Sequence, residues 1–338
     1  MNGPTAVDLF AGPGGLDLAA RILGLDTIGI EWDAGACETR RAAGLATIQG
    51  DVRAYGPADF PDAHTLLGGP PCQTFTVAGA GAGRRALDTV LDLATAMAGR
   101  EDVTGRIAAL NDERTGLVLE PLRWALAAAD AGRPFETVVL EQVPQVLPVW
   151  QAYDEVLSAE GYSVAAGVLR AEEYGVPQTR RRAVLIARRG AVAALPAPTH
   201  RPYLRGIPQG AVASGLLPWV SMGEALADTR AEPFTVVSNY GTGGDPKARG
   251  QRTCAEPAFT VTGKISRNRI VDADGRDLPR LTPSEAGRLQ SFPADHPWSG
   301  RDVGQQVGNA VPPLLAAHVV AAAVGLPMPA VGHGRAAA

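Results

Sequence analysis

The run from Thr5 to Gly24 constrains the fold more than any other stretch of the chain. Thr5-Ala6-Val7-Asp8-Leu9-Phe10 reads as a buried strand, and Ala11-Gly12-Pro13-Gly14-Gly15-Leu16-Asp17 as a turn. Glycines there let the backbone take angles that other residues resist. Good helix formers follow, Leu18-Ala19-Ala20-Arg21-Ile22-Leu23, stopped by Gly24. Strand, glycine turn and helix form the opening unit of an α/β sheet that binds nucleotides, because a ligand can approach the bare main chain. The third glycine of the dinucleotide fingerprint falls at Asp17, so the turn does not suit NAD. A plain tight turn accounts for the glycines equally well.

The next two strands sharpen the choice. Leu25 to Ile30 reads as a strand ending at Glu31-Trp32-Asp33, and Ala46 to Gln49 as one ending at Gly50-Asp51-Val52. Glu31 is placed to accept from ribose hydroxyls, Trp32 to stack on an adenine, and Asp51 to accept from its amino group. Each has an ordinary alternative, Trp32 as core packing above all. Three such strand ends in succession point to an adenosine-containing cofactor at one edge of the sheet.

The fourth strand leads into Leu66-Leu67-Gly68-Gly69-Pro70-Pro71-Cys72-Gln73-Thr74-Phe75. Two prolines stiffen the arm that carries Cys72 just beyond a strand's carboxyl end, where open α/β sheets do chemistry. Gly79, Gly81 and Gly83 then alternate with alanine before Arg84-Arg85, a flexible segment with two cations suited to closing over a polyanion, or an ordinary surface loop. Residues 86–130 read as helical, with an interruption near Asp112. The fifth strand, Phe135 to Leu140, ends at Glu141-Gln142-Val143-Pro144, so a second acid faces the same edge. Strands over 162–169 and 183–187 flank Gln178-Thr179-Arg180-Arg181-Arg182. Alternating strand residues share a face, so Arg180 and Arg182 point the same way, either as basic surface or as a clamp for a phosphate and a base carbonyl.

From about residue 193 the composition shifts to Pro, Gly, Ser, Thr and isolated cations. Ala231-Glu232-Pro233-Phe234-Thr235-Val236 and Ala255-Glu256-Pro257-Ala258-Phe259-Thr260-Val261 echo each other, as paired β-elements of a small lobe would. The loop Gly241 to Lys247, followed by Arg249, offers donors to phosphates or base edges. Thr282 N-caps a helix, with Pro283 in its first turn and Glu285 completing a capping box. Gly308-Asn309-Ala310-Val311-Pro312-Pro313 leads into a last Ala/Val-rich helix.

The totals set bounds. Hydrophobic residues at 46% with 20% charged describe a globular chain, and no apolar run approaches the roughly 18 residues that cross a bilayer. A strand beginning near Thr5 leaves no room for a signal peptide. Three scattered cysteines give neither a disulfide framework nor metal-ligand spacing, so a reduced, intracellular, metal-free protein is expected. The net charge of −4 hides an asymmetry: residues 171–270 hold fourteen Lys/Arg against seven Asp/Glu, the remainder seventeen against twenty-eight. A basic middle on an acidic body suits a face that meets phosphates, or a solvated charged face.

The order of these motifs resembles the DNA (cytosine-5) methyltransferase family over nearly the whole chain. The resemblance is carried by Asp8-Leu9-Phe10-Ala11-Gly12-Pro13-Gly14-Gly15, Pro70-Pro71-Cys72-Gln73, Glu141-Gln142-Val143, Gln178-Thr179-Arg180-Arg181-Arg182, the Arg280-to-Pro293 segment and Gly308-Asn309. Gln142 departs from the family, which has Asn after its motif glutamate. The resemblance implies S-adenosylmethionine as cofactor, released as S-adenosylhomocysteine, and a cytosine flipped from double-stranded DNA as substrate. It implies Cys72 as the nucleophile at C6, Glu141 as the proton donor at N3, Arg182 on the base's O2 and Arg180 on the phosphate side. By the same resemblance Phe10, Gly12, Gly14, Leu16 and Pro71 line the cofactor turn, with Leu117 on its apolar side. Glu31 takes the ribose, Trp32 and Asp51 the adenine, Asn309 and Val311 the methionine end. Gln73, Arg84, Arg85, Lys247 and Arg249 are expected on DNA.

The implied fold is α/β, the class I S-adenosylmethionine-dependent methyltransferase: a Rossmann-like, mostly parallel seven-stranded sheet with one reversed strand and a smaller β-rich target-recognition domain. Residues 1–192 plus 304–338 form the catalytic domain and 193–303 the recognition domain and hinge. A monomeric, cytoplasmic, nucleoid-associated enzyme is expected, with no membrane and with a cognate restriction endonuclease as a partner of such enzymes. Two rivals stand beside this reading. One is a member of the family acting on transfer RNA, disfavoured by about ninety residues between the arginine motif and the Thr282 helix. The other is an inactive DNA-binding protein, disfavoured by the joint presence of Cys72, Glu141 and Arg182.

Overall fold

A computed structural model describes residues 5–71, 82–110, 112–210, 215–241 and 249–329. Cys72, Gln73, Gly79, Gly81 and Lys247 lie outside the described residues, as does the side chain of Arg84.

Seven strands build the main sheet: β1 (Ala6–Leu9), β2 (Thr27–Glu31), β3 (Thr47–Gln49), β4 (Thr65–Gly68), β5 (Thr137–Gln142), β6 (Ser163–Arg170) and β7 (Arg181–Arg188), in the order β3-β2-β1-β4-β5-β7-β6. β1 pairs in parallel with β2 and β4, and β4 with β5; β7 runs antiparallel to both β5 and β6. Six strands thus run one way and β7 the other, as expected for the class I methyltransferase architecture. The order reverses at β1 and β4, where ligands settle beyond the carboxyl ends of an open sheet.

Both faces of the sheet are covered, which explains why β1 and β4 are buried at every residue. One face packs on helices Ala82–Ala98, Glu120–Asp130 and Leu147–Ala159 through Val90, Leu93, Leu122, Trp124, Val149 and Trp150. The other packs on Gly15–Ile22 and the last helix, Pro313–Val324, through Leu16, Ala19, Ala20, Leu315, Ala316 and Val319. Val303–Val324 contains a more apolar window than the sequence reading allowed, with mean hydropathy 1.6. Its 67% burial makes it a core segment, broken into Val303–Asn309 and Pro313–Val324 at Ala310 to Pro312.

A second, antiparallel sheet has the order β11-β10-β8-β9: β8 (Thr235–Gly241), β9 (Arg249–Thr253), β10 (Arg269–Val271) and β11 (Asp277–Leu278). Its core joins Phe234, Val236 and Ile270 to Leu281 and to Ala286 and Leu289 of the capped helix Pro283–Leu289. Thr282 and Glu285 form the expected capping box, and Arg230 grips Glu285 at 2.7 Å. Only the first of the two echoing segments supplies a strand. The second makes only an isolated parallel bridge, Ala258 to Gln178, while Arg252 donates to its Pro257 and Ala258 carbonyls. Arg85, expected on a flexible segment, is instead exposed near the start of the 17-residue helix Ala82–Ala98.

The acid that β1 carries is costly. Asp8 is fully buried and neither oxygen meets a donor of good geometry. Neighbouring Asp17 pairs with Arg40, at 2.6 and 2.9 Å. Desolvation first, and the Asp17 charge second, hold the Asp8 carboxyl well above the usual carboxylate range, so it keeps its proton. A folded-state pKa above the unfolded one gives stability that is full below the unfolded Asp value and falls as pH rises through the folded pKa. Asp8→Asn, which stays neutral, is therefore expected to melt a few degrees above the parent at pH 8, a gain on the order of 1 kcal/mol. The gap should shrink toward pH 5 in a pH series of thermal melts.

Candidate active site

The carboxyl ends of β1, β2, β4 and β5 open onto one cavity of about 670 Å³, within the range of small-molecule and cofactor sites. Its floor is the first turn. Phe10 at φ 60°, Gly12 at 52° and Gly14 at 102° fold it back sharply. Gly14 faces the protein: a Cβ there would stand 2.2 Å from Leu45 Cδ1. Phe10, Gly12 and Leu16 line the cavity, whereas Gly14 is not among its lining residues and packs against Leu45. Asp17, at the fingerprint's third position, supports the turn from beneath through Arg40, which donates to the Ala11 carbonyl at 3.3 Å.

Glu31 bridges two segments of this floor. Its Oε2 accepts from the Gly12 N–H at 2.8 Å and its Oε1 from the Asp33 N–H at 2.7 Å. Burial nevertheless raises its pKa. Trp32 stands at the rim with 70% of its surface exposed, a large unpartnered indole beside a cavity. Asp51 also lines the cavity, but Arg53 pairs with it at 2.6 Å and, by that bond first, lowers its pKa. Leu117 closes the apolar side next to Arg114.

At the other end lie the groups expected to do chemistry. Glu141 ends β5, buried, and Arg182 enters from antiparallel β7. Arg182 Nε lies 2.7 Å from Glu141 Oε1, an ion-pair contact without the alignment of a good hydrogen bond. Desolvation raises the Glu141 pKa, opposed first by Arg182 and then by Arg180, and the net direction is upward. Pro71, which precedes Cys72, lines the same cavity, and so do Gly69, Gln142 and Val143. Gln142 performs a task that its extra methylene does not prevent: its Nε2 donates to the Pro70 carbonyl at 2.5 Å and its Oε1 accepts from the Val143 N–H. The arm leading to Cys72 is thereby tied to the strand end that bears Glu141.

Arg180 corrects an expectation. It does not line the cavity, only 1% of its surface is exposed, and its donors go to the carbonyls of Val261, Gly308 and Ala310 at 2.9, 3.0 and 3.1 Å. A guanidinium so enclosed has no free edge for a phosphate. Asn309 and Val311 lie on the cavity wall, with the Asn309 amide oxygen accepting from Gln305 Nε2 at 2.8 Å. Gln305, Arg53 and Arg114 line the site although the sequence reading did not single them out. The Asp-x-Arg spacing at Asp51–Arg53 and Asp112–Arg114 is the one signal that marked the two arginines. Arg249 is half-buried on β9, opposite Gly241.

A family model for C-5 cytosine-specific DNA methylases matches residues 5–93, 136–205 and 220–324. The chain belongs to that family. It is 31% identical to the type II methyltransferase M.AplI of Arthrospira platensis over 92% of this chain and 82% of that protein. It is 28% identical to M.NgoFVII of Neisseria gonorrhoeae, over 92% and 84%. The fold matches that of the Dnmt2 methyltransferase of S. pombe with a TM-score of 0.63 at 16% identity, over 95% and 98% of the two chains. It also matches a prophage-encoded DNA modification methyltransferase from E. coli, with a TM-score of 0.57 at 19% identity and the same coverage.

At the cavity wall of this member of the family, close backbone crossings leave no room for a side chain. A Cβ on Gly15 would lie 2.1 Å from the Val311 carbonyl oxygen, and one on Gly308 would lie 2.0 Å from the Gly263 nitrogen. The second crossing presses the cavity wall against the connection between β9 and β10 of the small sheet. Gly308→Ala is expected to cost about 1–3 kcal/mol, as overpacking against main chain does, read as a lower midpoint in urea denaturation.

Proposed function

We propose that the protein is a DNA (cytosine-5) methyltransferase acting on a cytosine flipped out of duplex DNA, with S-adenosylmethionine as methyl donor. The observation that carries this reading is the buried Glu141 touching Arg182 at 2.7 Å on the wall of a cavity into which Pro71 leads.

The cavity residues fit the cofactor. Glu31 keeps unused lone pairs for ribose hydroxyls, the exposed Trp32 indole offers a stacking face, and the bare main chain at Gly12 and Val311 suits an amino-acid tail. Asp51 would accept from the adenine amino group with a lone pair left over from its contacts to Arg53, which donates to both of its oxygens. When bound, S-adenosylmethionine supplies an electrophilic methyl group on a sulfonium. The protein's own residues must make C5 of cytosine nucleophilic enough to take it. The Cys72 thiolate adds at C6, and the S–C6 bond converts the ring to an enamine with electron density on C5. Negative charge building toward N3 is met by a proton from Glu141. The upward pKa of Glu141 keeps that proton available nearer neutral pH, and Arg182 would hold O2 beside it. After C5 is methylated, a base removes the C5 proton, the S–C6 bond breaks, and N3 returns its proton to Glu141.

By the same reading, residues 1–192 with 304–338 form the catalytic domain and residues 193–303 read DNA, with Arg84, Arg85, Gln73, Lys247 and Arg249 on its phosphates or base edges. Likeness to type II methyltransferases supports a restriction–modification setting with a cognate endonuclease; a monomer acting among the nucleoid DNA is part of the same proposal. Transfer to tRNA and not to duplex DNA would instead favour the RNA-directed branch of the family.

A duplex containing 5-fluorocytosine, which has no C5 proton to lose, should stay bound through Cys72 when the methyl donor is present. A denaturing gel should show that adduct with the wild type and none with Cys72→Ala; no adduct from the wild type would overturn the proposal. Glu141→Gln is expected to bind duplex DNA normally and to lose about 10²–10⁴-fold in single-turnover methyl transfer.

A further inference from the structure

Arg180 is the least explained charge in the molecule. Burying a cation is expensive unless it is paired, yet its three hydrogen bonds all go to neutral carbonyls and its Nε has no acceptor. Those carbonyls come from two distant segments. Val261 belongs to the core of the small sheet, whereas Gly308 and Ala310 flank Asn309 on the cavity wall. Two residues farther along the chain, Arg182 carries the contact to Glu141. One short stretch therefore holds the second sheet, the cofactor end of the cavity and the buried acid.

Its neighbour strengthens the tie. The fully buried Gln178 accepts from the Val261 N–H at 2.9 Å and donates to the Leu289 carbonyl and to Gln290 Oε1, at 2.9 and 2.7 Å. Gln290 in turn donates to the Val307 carbonyl at 2.5 Å. Val261 is thus gripped at both its N–H and its C=O, and the wall from Val307 to Ala310 is held at three carbonyls. Such networks are strong when complete and fail badly when one member is removed.

We propose that Arg180 is a positioning residue: it fixes the Gly308–Ala310 wall against the small lobe, so that cofactor affinity depends on it although it touches neither cofactor nor DNA. The inference rests on the methyltransferase reading for the identity of the ligand. It differs from a phosphate-binding role in which equilibrium it perturbs. Loss of Arg180 loosens the wall in the protein alone, before any DNA is present. Loss of a phosphate contact leaves the cofactor untouched and flattens the dependence of DNA binding on salt.

The test compares Arg180→Met and Arg180→Lys with the wild type in the full chain. Titration calorimetry measures S-adenosylmethionine affinity without DNA. Duplex binding over a salt series gives the slope of log K against log salt, and steady-state kinetics separate KM for the cofactor from kcat. Arg180→Met should weaken cofactor binding at least about tenfold, the equivalent of roughly 1.4 kcal/mol, with Arg180→Lys intermediate and the salt slope unchanged in both. If Arg180→Met does not accumulate folded, Arg180→Lys carries the same comparison, since an ammonium satisfies fewer of the three carbonyls. Arg182→Lys serves as the contrast, expected to lower kcat with cofactor affinity intact. Unchanged cofactor affinity together with a salt slope shallower by about 1 would make Arg180 a phosphate ligand and overturn the inference. Failure of the wild type itself to bind the cofactor would sink the methyltransferase reading, a separate result.

Discussion

The contact between Glu141 and Arg182 organises the rest of this structure. A carboxyl group placed at the end of a central strand loses its water, and burial alone pushes its proton affinity up. A guanidinium brought in from the reversed strand limits that rise without abolishing it. The pair therefore needs β7 to run against β5, because only then does the arginine-bearing start of β7 meet the carboxyl end of β5. The single reversed strand in the sheet thus has a chemical purpose beyond joining β5 to β6.

Around that pair the protein uses main chain more than side chains to shape its cavity. The first turn, the prolines before Cys72 and the wall at Gly308 to Val311 approach one another closely, and glycine appears where two backbones cross. Side chains act chiefly as ties: Glu31 across the turn, Gln142 to the proline arm, Gln305 to Asn309. Each tie orients a polar group that a ligand would otherwise have to order, and preorganisation of that kind lowers the entropy cost of binding.

Much of this was legible in the sequence, and for physical reasons. Strand ends bearing Glu31, Asp51 and Glu141 could be read because hydrophobic runs stop at polar residues and parallel sheets collect such stops along one edge. The capping box at Thr282 and Glu285 is local chemistry and reads at once. Arg180 did not read correctly. Strand alternation gives the face on which a side chain lies but not what covers that face, and here the covering pieces are Val261 and Gly308 to Ala310, far away in the chain. The same ignorance of long-range partners hid the fact that the second of two similar segments would meet Gln178 and Thr179 instead of joining the small sheet.

The helix Gly15–Ile22, which follows the first turn, finds its packing partner in Pro313–Val324, roughly three hundred residues later. Leu16, Ala19 and Ala20 stay without their cover until that helix exists. During synthesis the main sheet thus has one open side for most of the time the ribosome spends on the chain. Closing so long a loop is slow but adds little to its equilibrium cost. A chain released before Val324 would lack a slab of the sheet's cover, so truncation near the carboxyl end should be as damaging as a lesion at the amino end.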